Sequence, residues 1–177
     1  MLASTSPQRR AILEQLRIPF KVVAPSYAEV GDDPVAHAIG KARSVQRAGR
    51  LVLGVDTVVA LDDRVLGKPG SPDEAEAMLE VLSGRTHEVV SGLCLRAGDR
   101  EDVGREVTNV TFRTLSSHDI DRYLASGEWR DRAGAYAIQG FGASLVERIE
   151  GDHLNVVGLP GALLIRLLTE RGYSPRP

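Results

Sequence analysis

The segment that decides the fold is Leu51-Val52-Leu53-Gly54-Val55-Asp56-Thr57-Val58-Val59-Ala60-Leu61, which is rich enough in valine and leucine to form a buried strand. One carboxylate, Asp56, interrupts this apolar run. Buried carboxylates are rare unless they are paired or bound to a cation. Two interpretations follow: Asp56 is a functional group, or a bulge or strand end at Gly54 carries it to the surface. Thr57 adds a second polar group at the same point and favours function.

Further strands are predicted on both sides of this segment. Asp62-Asp63 predicts a hairpin turn that leads into a short strand, Arg64 to Leu66. Thr86 to Leu95 and Val103 to Phe112 follow each other without a helix between them, which requires antiparallel pairing and a mixed sheet. The other predicted strands are Lys21 to Ala24, Ala143 to Ile149 and an opening strand, Met1 to Ala3, which is short even for a sheet edge.

Five helices are predicted between the strands from apolar residues at helical spacing. They run from Pro7 to Arg17, Pro34 to Ala48, Ser71 to just before Gly84, His118 to Ser126 and Pro160 to Arg171. Ser6 and Asp33 are suited to cap the first two, and Ser71-Pro72-Asp73-Glu74 has the spacing of a capping box. The pattern predicts an α/β fold in one domain, residues 1–177, with a mixed, twisted sheet flanked by helices.

Composition narrows the classes of function. The chain has 177 residues, 42% hydrophobic and 26% charged, which is ordinary for one globular domain. A net charge of -2 gives no broad basic surface, so we expect no duplex nucleic acid as a partner. No signal peptide and no apolar stretch of ~20 residues is evident, so we expect a soluble, cytoplasmic protein without membrane contact. The lone Cys94 lies in an apolar run and predicts a small buried thiol.

The opening segment, Leu2-Ala3-Ser4-Thr5-Ser6-Pro7-Gln8-Arg9-Arg10, joins a short strand, a hydroxyl-rich turn and a helix N-terminus. Two arginines in a first helical turn are unusual, because the helix dipole favours negative charge there. Free backbone N–H groups, hydroxyls and guanidinium together form a phosphate site. A well-capped surface helix with solvated arginines fits the same residues, and both interpretations stay open.

Other charged residues are less distinctive. Lys41 shares a helical face with His37 and Ser44, and Lys68 follows the predicted hairpin. Neither has the spacing of a phosphate-loop lysine, and as isolated residues both fit solvated surface charges. Glu29 lies in a predicted loop, where a solvated carboxylate is normal.

The available metal ligands are mainly carboxylates. The histidines, His37, His87, His118 and His153, are far apart and lack metal-ligand spacing. With a single cysteine a zinc site is not expected. Carboxylate ligands favour hard cations such as Mg²⁺ or Mn²⁺.

Eight short segments, in order along the chain, resemble the Maf family, also called septum formation inhibitor proteins. They are Leu2 to Arg9, the loop at Glu29, Lys41-Ala42, Gly54 to Val59, Gly67-Lys68-Pro69, Leu82 to His87, Ala133 to Gly140 and Asn155 to Pro160. Each segment is weak alone, but their shared order is specific. The resemblance implies a fold similar to that of the inosine triphosphate pyrophosphatases, with two lobes and a central cleft, commonly as a homodimer.

The resemblance also implies an activity. Members of the family are metal-dependent nucleotide pyrophosphatases, which split a nucleoside triphosphate into a monophosphate and pyrophosphate. Glu29 and Asp56 match the family's acidic pair, which implies that they bind Mg²⁺ or Mn²⁺ and that Asp56 is the proton acceptor. Ser4 and Arg9 match phosphate-binding positions, and Lys41 and Lys68 match lysines that face the triphosphate. This set suits hydrolysis, which needs a positioned water, a cation and positive charge for the leaving group.

Base selection in the family is carried by three positions, which here are Gln8, Thr57 and Gln139. Thr57 and Gln139 resemble the branch that acts on dTTP and UTP. The amide of Gln139 suits a pyrimidine, since it can accept from N3–H and donate to a carbonyl. Gln8 departs from the arginine usual in that branch, and broad specificity is therefore an alternative.

Two other functions compete with this interpretation. One is an enzyme of the same fold that acts on non-canonical purine triphosphates. The other is a non-catalytic nucleotide-binding regulator of septum formation. The presence of both acidic positions and both lysines opposes the regulator, because binding alone does not require a carboxylate that activates water.

Overall fold

The computed structural model describes residues 1–46 and 49–173. The strands are β1 (Leu2–Ala3), β2 (Val22–Val23), β3 (Val52–Leu61), β4 (Arg64–Leu66), β5 (Thr86–Ala97), β6 (Arg100–Phe112) and β7 (Val146–Glu150). The α-helices are α1 (Pro7–Gln15), α2 (Pro34–Ser44), α3 (Pro72–Leu82), α4 (Ser117–Ser126), α5 (His153–Val157) and α6 (Gly161–Glu170). Short 3-10 helices span Ala133–Ala135 and Gly140–Leu145.

The strands form a mixed sheet in the order β2-β1-β3-β5-β6-β7, with β4 paired to β3. β1 pairs in parallel with both β2 and β3, whereas β3–β4 and β6–β7 are antiparallel. The predicted α/β fold with a mixed sheet and flanking helices is therefore confirmed. The predicted hairpin at Asp62 is also confirmed, since Leu61 pairs with Arg64 and Asp62 has a φ of 53°.

β1 is not an edge strand, despite having only two residues. It lies between β2 and β3, and Leu2 and Ala3 are fully buried. Backbone bonds extend the pairing on both sides, because Leu2 donates to the carbonyl of Lys21 and Leu53 donates to that of Met1. A two-residue strand is held here because it pairs with a strand on each side.

The chain divides into two compact units. The first comprises Met1–Thr57, Ser91–Glu106 and Gly158–Pro177, and the second comprises Val58–Val90 and Val107–Val157. A small-residue cluster packs part of the first unit, and Cys94 is fully buried in it, as predicted; its members are Ala3, Ala38, Ala42, Val45, Val52 and Cys94. The second unit has a larger core, which includes Leu79, Phe112 and Tyr136.

Helix α2 packs directly against the sheet in the first unit, because two glycines leave room for it. A Cβ at Gly54 of β3 would collide with the backbone carbonyl of Ala38, and one at Gly92 of β5 would collide with the backbone of Pro34. Strand β3 continues through Gly54 and Asp56 is buried, so the predicted alternative of a bulge or strand end that exposes Asp56 is wrong. Gly54 lets the backbone of α2 approach the backbone of β3 closely, which is a common role of glycine in a strand.

Most helix starts match the sequence prediction, because the caps are local. Ser6 accepts a bond from Arg9 N, Asp33 from Val35 N and Ser71 from Glu74 N. The carboxylate of Glu74 accepts from Gly70 N, one residue before the position of a full capping box. A full box occurs instead at α4, between Ser116 and Asp119.

Helix ends are less well predicted. α1 ends at Gln15 instead of Arg17, which has a φ of 52°. α2 ends at Ser44 instead of Ala48, and Ala48 itself lies outside the described residues. α6 spans Gly161–Glu170, one residue shorter at each end than predicted. Among the described residues, no helix is long and apolar enough to cross a membrane.

The prediction of a strand from Ala143 to Ile149 is wrong in its first half. Residues Gly140–Leu145 form a 3-10 helix, and β7 begins only at Val146. The carboxylate of Glu128 accepts bonds from Phe141 N and Gly142 N and so holds this backbone in a turn. A contact from twelve or more residues away leaves no trace in local periodicity.

Candidate active site

A buried ion-pair cluster lies between α2, β3 and the segment that precedes α2. Lys41 extends from α2 and places Nζ 2.6 Å from Oδ1 of Asp56 on β3. The same Nζ lies 2.6 Å from Oε1 of Glu29. The ammonium group therefore bridges the two carboxylates that were predicted as an acidic pair.

His37 completes the cluster from one helical turn before Lys41, since residues four apart share a helix face. Its Nδ1 lies 3.1 Å from Oδ2 of Asp56, and its Nε2 lies 3.2 Å from the carbonyl oxygen of Val30. His37, Lys41 and Asp56 are all buried, whereas the side chain of Glu29 is 53% exposed. The cluster thus has a buried end at Asp56 and an open end at Glu29.

The donor set of this cluster fits a divalent cation. Glu29, His37 and Asp56 each offer a ligand atom, and these atoms lie within 4.8 Å of one another. Carboxylate oxygens such as those of Glu29 and Asp56 suit Mg²⁺ or Mn²⁺.

A hydrogen-bond network centred on Arg9 of α1 lies beside the acidic cluster. Arg9 donates through Nε to the carbonyl of Gly158 at 2.9 Å, through one terminal nitrogen to Oγ of Ser4 at 3.2 Å, and through the other to Oγ1 of Thr57 at 3.4 Å. Thr57 directly follows Asp56 on β3. The Thr57 hydroxyl also contacts Oγ of the buried Ser91 at 2.8 Å.

These contacts orient the guanidinium of Arg9 without neutralising it, because each acceptor is an uncharged oxygen. Burial lowers the pKa of Arg9, and the nearby charges of Asp56 and Glu29 act against that effect. Arginine stays protonated over any ordinary pH range. Arg9 is therefore a fixed positive charge beside a helix N-terminus, which is an arrangement suited to a phosphate group.

The remaining candidates occupy different positions. Gln8 is half-buried, and its Oε1 accepts a bond from the Ser6 hydroxyl at 3.0 Å. Lys68 and Gln139 belong to the second unit, and both are exposed. Lys68 follows β4, and Gln139 directly precedes the 3-10 helix Gly140–Leu145.

The structure thus brings together seven of the nine predicted residues within the first unit: Ser4, Gln8, Arg9, Glu29, Lys41, Asp56 and Thr57. The interpretation of Lys41 as a solvated surface charge is wrong, since the residue is 7% exposed. Three contributors were missed by sequence reasoning: His37, Ser91 and Gly158. Only His37 carried a signal, because it shares a helical face with Lys41.

Comparison with known proteins identifies the family of this chain. The family model described as Maf-like protein matches residues 1–171. A dTTP/UTP pyrophosphatase from Pyrococcus furiosus is 45% identical over 182 residues, covering 98% of this chain and 95% of the relative. A protein of the same description from Nitratidesulfovibrio vulgaris is 50% identical, covering 97% and 87%, and one from Symbiobacterium thermophilum is 47% identical, covering 98% and 94%. With a match of this extent, the chain belongs to the Maf family.

Proposed function

We propose that this protein is a nucleoside triphosphate pyrophosphatase that hydrolyses the α–β phosphoanhydride of dTTP and UTP to a nucleoside monophosphate and pyrophosphate. The observation that carries the proposal is the ion-pair cluster of Glu29, Lys41 and Asp56, which is buried at Asp56 and open at Glu29, beside the guanidinium of Arg9. The carboxylates of this cluster can bind a cation and activate a water, and its positive charges can bind phosphate groups. The relatives described as dTTP/UTP pyrophosphatases support the same reaction.

Asp56 is the proposed general base. Its carboxylate is buried. Oδ1 accepts a bond from Lys41 and Oδ2 lies 3.1 Å from Nδ1 of His37, which leaves further lone pairs to accept a proton from water. The deprotonated water then attacks the α phosphorus, and pyrophosphate leaves. General-base assistance of this kind contributes typically 10²- to 10⁴-fold to a rate.

Arg9, Ser4, Lys41 and Lys68 are the proposed phosphate-binding groups. Positive charge that is fixed before the reaction stabilises negative charge as it develops on the phosphate oxygens. Lys41 would exchange part of its contact with Glu29 for a phosphate oxygen, since Glu29 lies at the exposed end of the cluster.

Glu29 and Asp56 would hold the divalent cation, which neutralises phosphate charge and makes the bound water more acidic. The ligand atoms of these two carboxylates lie within 4.8 Å of each other. The fit of this donor set supports Mg²⁺ or Mn²⁺ as the cofactor.

The choice of pyrimidine substrates rests on the likeness to the dTTP/UTP branch and on the amide of Gln139. Gln8 and Thr57 are the other proposed specificity residues. A cytoplasmic location and a homodimer are further proposals, supported by resemblance to the family. Light scattering coupled to size-exclusion chromatography tests the homodimer.

A panel of triphosphates tests the proposed function. Purified protein is incubated with dTTP, UTP, dCTP, GTP, ITP, XTP and 7-methyl-GTP in the presence of Mg²⁺ or Mn²⁺, and pyrophosphate is measured. We expect the highest kcat/KM with dTTP and UTP. Preference for ITP or XTP would replace the pyrimidine assignment with the purine alternative. Binding of nucleotides without turnover would favour the non-catalytic regulator.

A further inference from the structure

His37 lies at the centre of the acidic cluster although its position in the sequence has no metal-ligand spacing. The ring is 3% exposed and lies between the carboxylate of Asp56 and the backbone of Val30. A buried polar ring is unfavourable unless its nitrogens have partners. Both nitrogens of His37 face an oxygen: a proton on Nδ1 is donated to Asp56, and a proton on Nε2 is donated to the carbonyl of Val30.

With a proton on Nδ1, His37 holds the one oxygen of Asp56 that Lys41 does not contact. Lys41 contacts Oδ1 at 2.6 Å, and Nδ1 of His37 lies 3.1 Å from Oδ2. A carboxylate with a single donor can rotate about its Cβ–Cγ bond, whereas one held at both oxygens has one orientation. The unused lone pairs then point in defined directions.

The same ring holds the segment that carries Glu29. Its Nε2 lies 3.2 Å from the carbonyl of Val30, the residue that directly follows Glu29. Tyr27 is a second contact between this segment and α2. Its ring packs against Gly40 of α2, in the space that a side chain at that position would occupy. Among the contacts of the described residues, His37 is therefore the one side chain of α2 that reaches both Asp56 and the backbone next to Glu29.

We propose that His37 is a positioning residue that sets the carboxylate of Asp56 relative to Glu29. The inference rests on the proposed function, in which these two carboxylates act together. Direct ligation of a metal by His37 is less consistent with the geometry, because each ring nitrogen already faces an oxygen. Partners that orient a metal ligand typically affect activity 10- to 100-fold when they are replaced.

Three substitutions at one position separate positioning from packing. His37→Leu removes both polar contacts but keeps an apolar side chain of similar bulk. His37→Asn can place an amide N–H where Nδ1 is, facing Asp56, and His37→Gln can place one where Nε2 is, facing Val30. His118→Leu, at an exposed position of α4, is the matched control for loss of a histidine.

We expect His37→Leu to lower kcat by roughly 10- to 100-fold with little change in KM, in line with other partners that orient metal ligands. His37→Asn should recover most of kcat, His37→Gln should not, and His118→Leu should match wild type. Equal kcat in all variants would overturn the proposal. It would also be overturned if kcat followed the melting temperature across the series, since His37 would then be a packing residue only.

A second measurement is independent of nucleotide chemistry. In a ¹⁵N-histidine-labelled protein, we expect a ring N–H of His37 that exchanges slowly with water, is absent in His37→Leu and is displaced in Asp56→Ala. If no slowly exchanging ring proton is observed, or if its signal is unchanged in Asp56→Ala, then the hydrogen bond between His37 and Asp56 is absent and the proposal is wrong. If wild type hydrolysed no triphosphate, the proposed function would fail, while this spectrum would still decide whether His37 holds Asp56.

Discussion

Asp56 is the residue on which the proposed chemistry depends most directly. Asp56→Asn keeps the shape of the side chain but cannot accept a proton, so we expect a folded protein whose kcat is about 10²- to 10⁴-fold lower. Steady-state kinetics and thermal melting are the measurements. A folded variant with full activity would exclude Asp56 as the base, and an unfolded variant would show that Asp56 is needed for the structure.

Gln139 is the residue that best tests the choice of base. Gln139→Glu presents a carboxylate, which only accepts hydrogen bonds and would face the O4 or O2 atoms of a pyrimidine without a donor. We expect kcat/KM for dTTP and UTP to fall far more than that for GTP and 7-methyl-GTP, because unpaired polar groups in a pocket are strongly rejected. A uniform fall across all four nucleotides would mean that Gln139 does not read the base.

His87 in the second unit predicts how stability depends on pH. Burial lowers its pKa to about 4 from 6.5, and Nδ1 has no hydrogen-bond partner among the described residues. Below pH 6.5 His87 binds a proton in the unfolded chain but not in the folded protein, so the free energy of unfolding falls as the pH drops towards 4. The loss amounts to about 3 kcal/mol.

His87→Gln provides the comparison, because a glutamine amide can reach the Tyr136 hydroxyl that Nε2 contacts at 2.9 Å, yet it does not titrate. Urea unfolding at several pH values between 7 and 4 is the measurement. We expect the variant to lose less stability over this range than wild type does. If the free energy of unfolding depends on pH in the same way in both proteins, His87 is not the cause of the loss of stability at low pH.

At the scale of residues, the sequence predicted groups whose signal is local. Asp56 stood out because a carboxylate interrupts an apolar strand, and Arg9 because a helix N-terminus disfavours cations. Lys41 and His37 were not recognisable as buried, since their partners come from β3 and from the segment around Glu29. The distance along the chain between these elements hides the cluster from any local pattern.

At the scale of elements, the close approach of α2 to β3 holds the cluster together. Gly54→Ala would place a methyl group against the backbone of Ala38 and Ala42 and push the helix from the strand. We expect a loss of about 1–3 kcal/mol in the free energy of unfolding, the usual effect of overpacking. Activity should fall as well, because Lys41 and His37 lie on α2 and Asp56 lies on β3.

Gly67→Ala is the control for this substitution, since a Cβ at Gly67 has open space around it. Denaturant unfolding of both variants is the measurement, with no loss of stability expected for Gly67→Ala. A Gly54→Ala protein as stable and active as wild type would contradict the role assigned to this helix contact.

Secondary structure was predictable where its cause is local and was missed where its cause is distant. The caps at Ser6, Asp33 and Ser71 are local, and the starts of the helices that follow them were placed correctly. Helix α5 was not foreseen, because its five residues are too few for a periodic signal and Asn155 is held by distant partners, Val89 and Thr108. Interior pairing of β1 likewise depends on two other strands.

At the scale of the whole molecule, charge explains why a cation is expected. The protein carries a net charge of -2, and a nucleoside triphosphate is itself a polyanion. Local positive groups and a divalent cation must overcome this repulsion. We therefore expect EDTA to abolish turnover and added Mg²⁺ or Mn²⁺ to restore it. Turnover that persists at full rate in EDTA would contradict the role given to Glu29 and Asp56.

The most direct test of the central claim locates the bond that water attacks. The protein is incubated with dTTP or UTP in oxygen-18 water, and the products are analysed by mass spectrometry. Attack at the α phosphorus puts one labelled oxygen into the monophosphate and leaves pyrophosphate unlabelled, which is the result we predict. Label in pyrophosphate, or release of orthophosphate from the intact triphosphate, would contradict the claim that this protein is a nucleoside triphosphate pyrophosphatase of that mechanism.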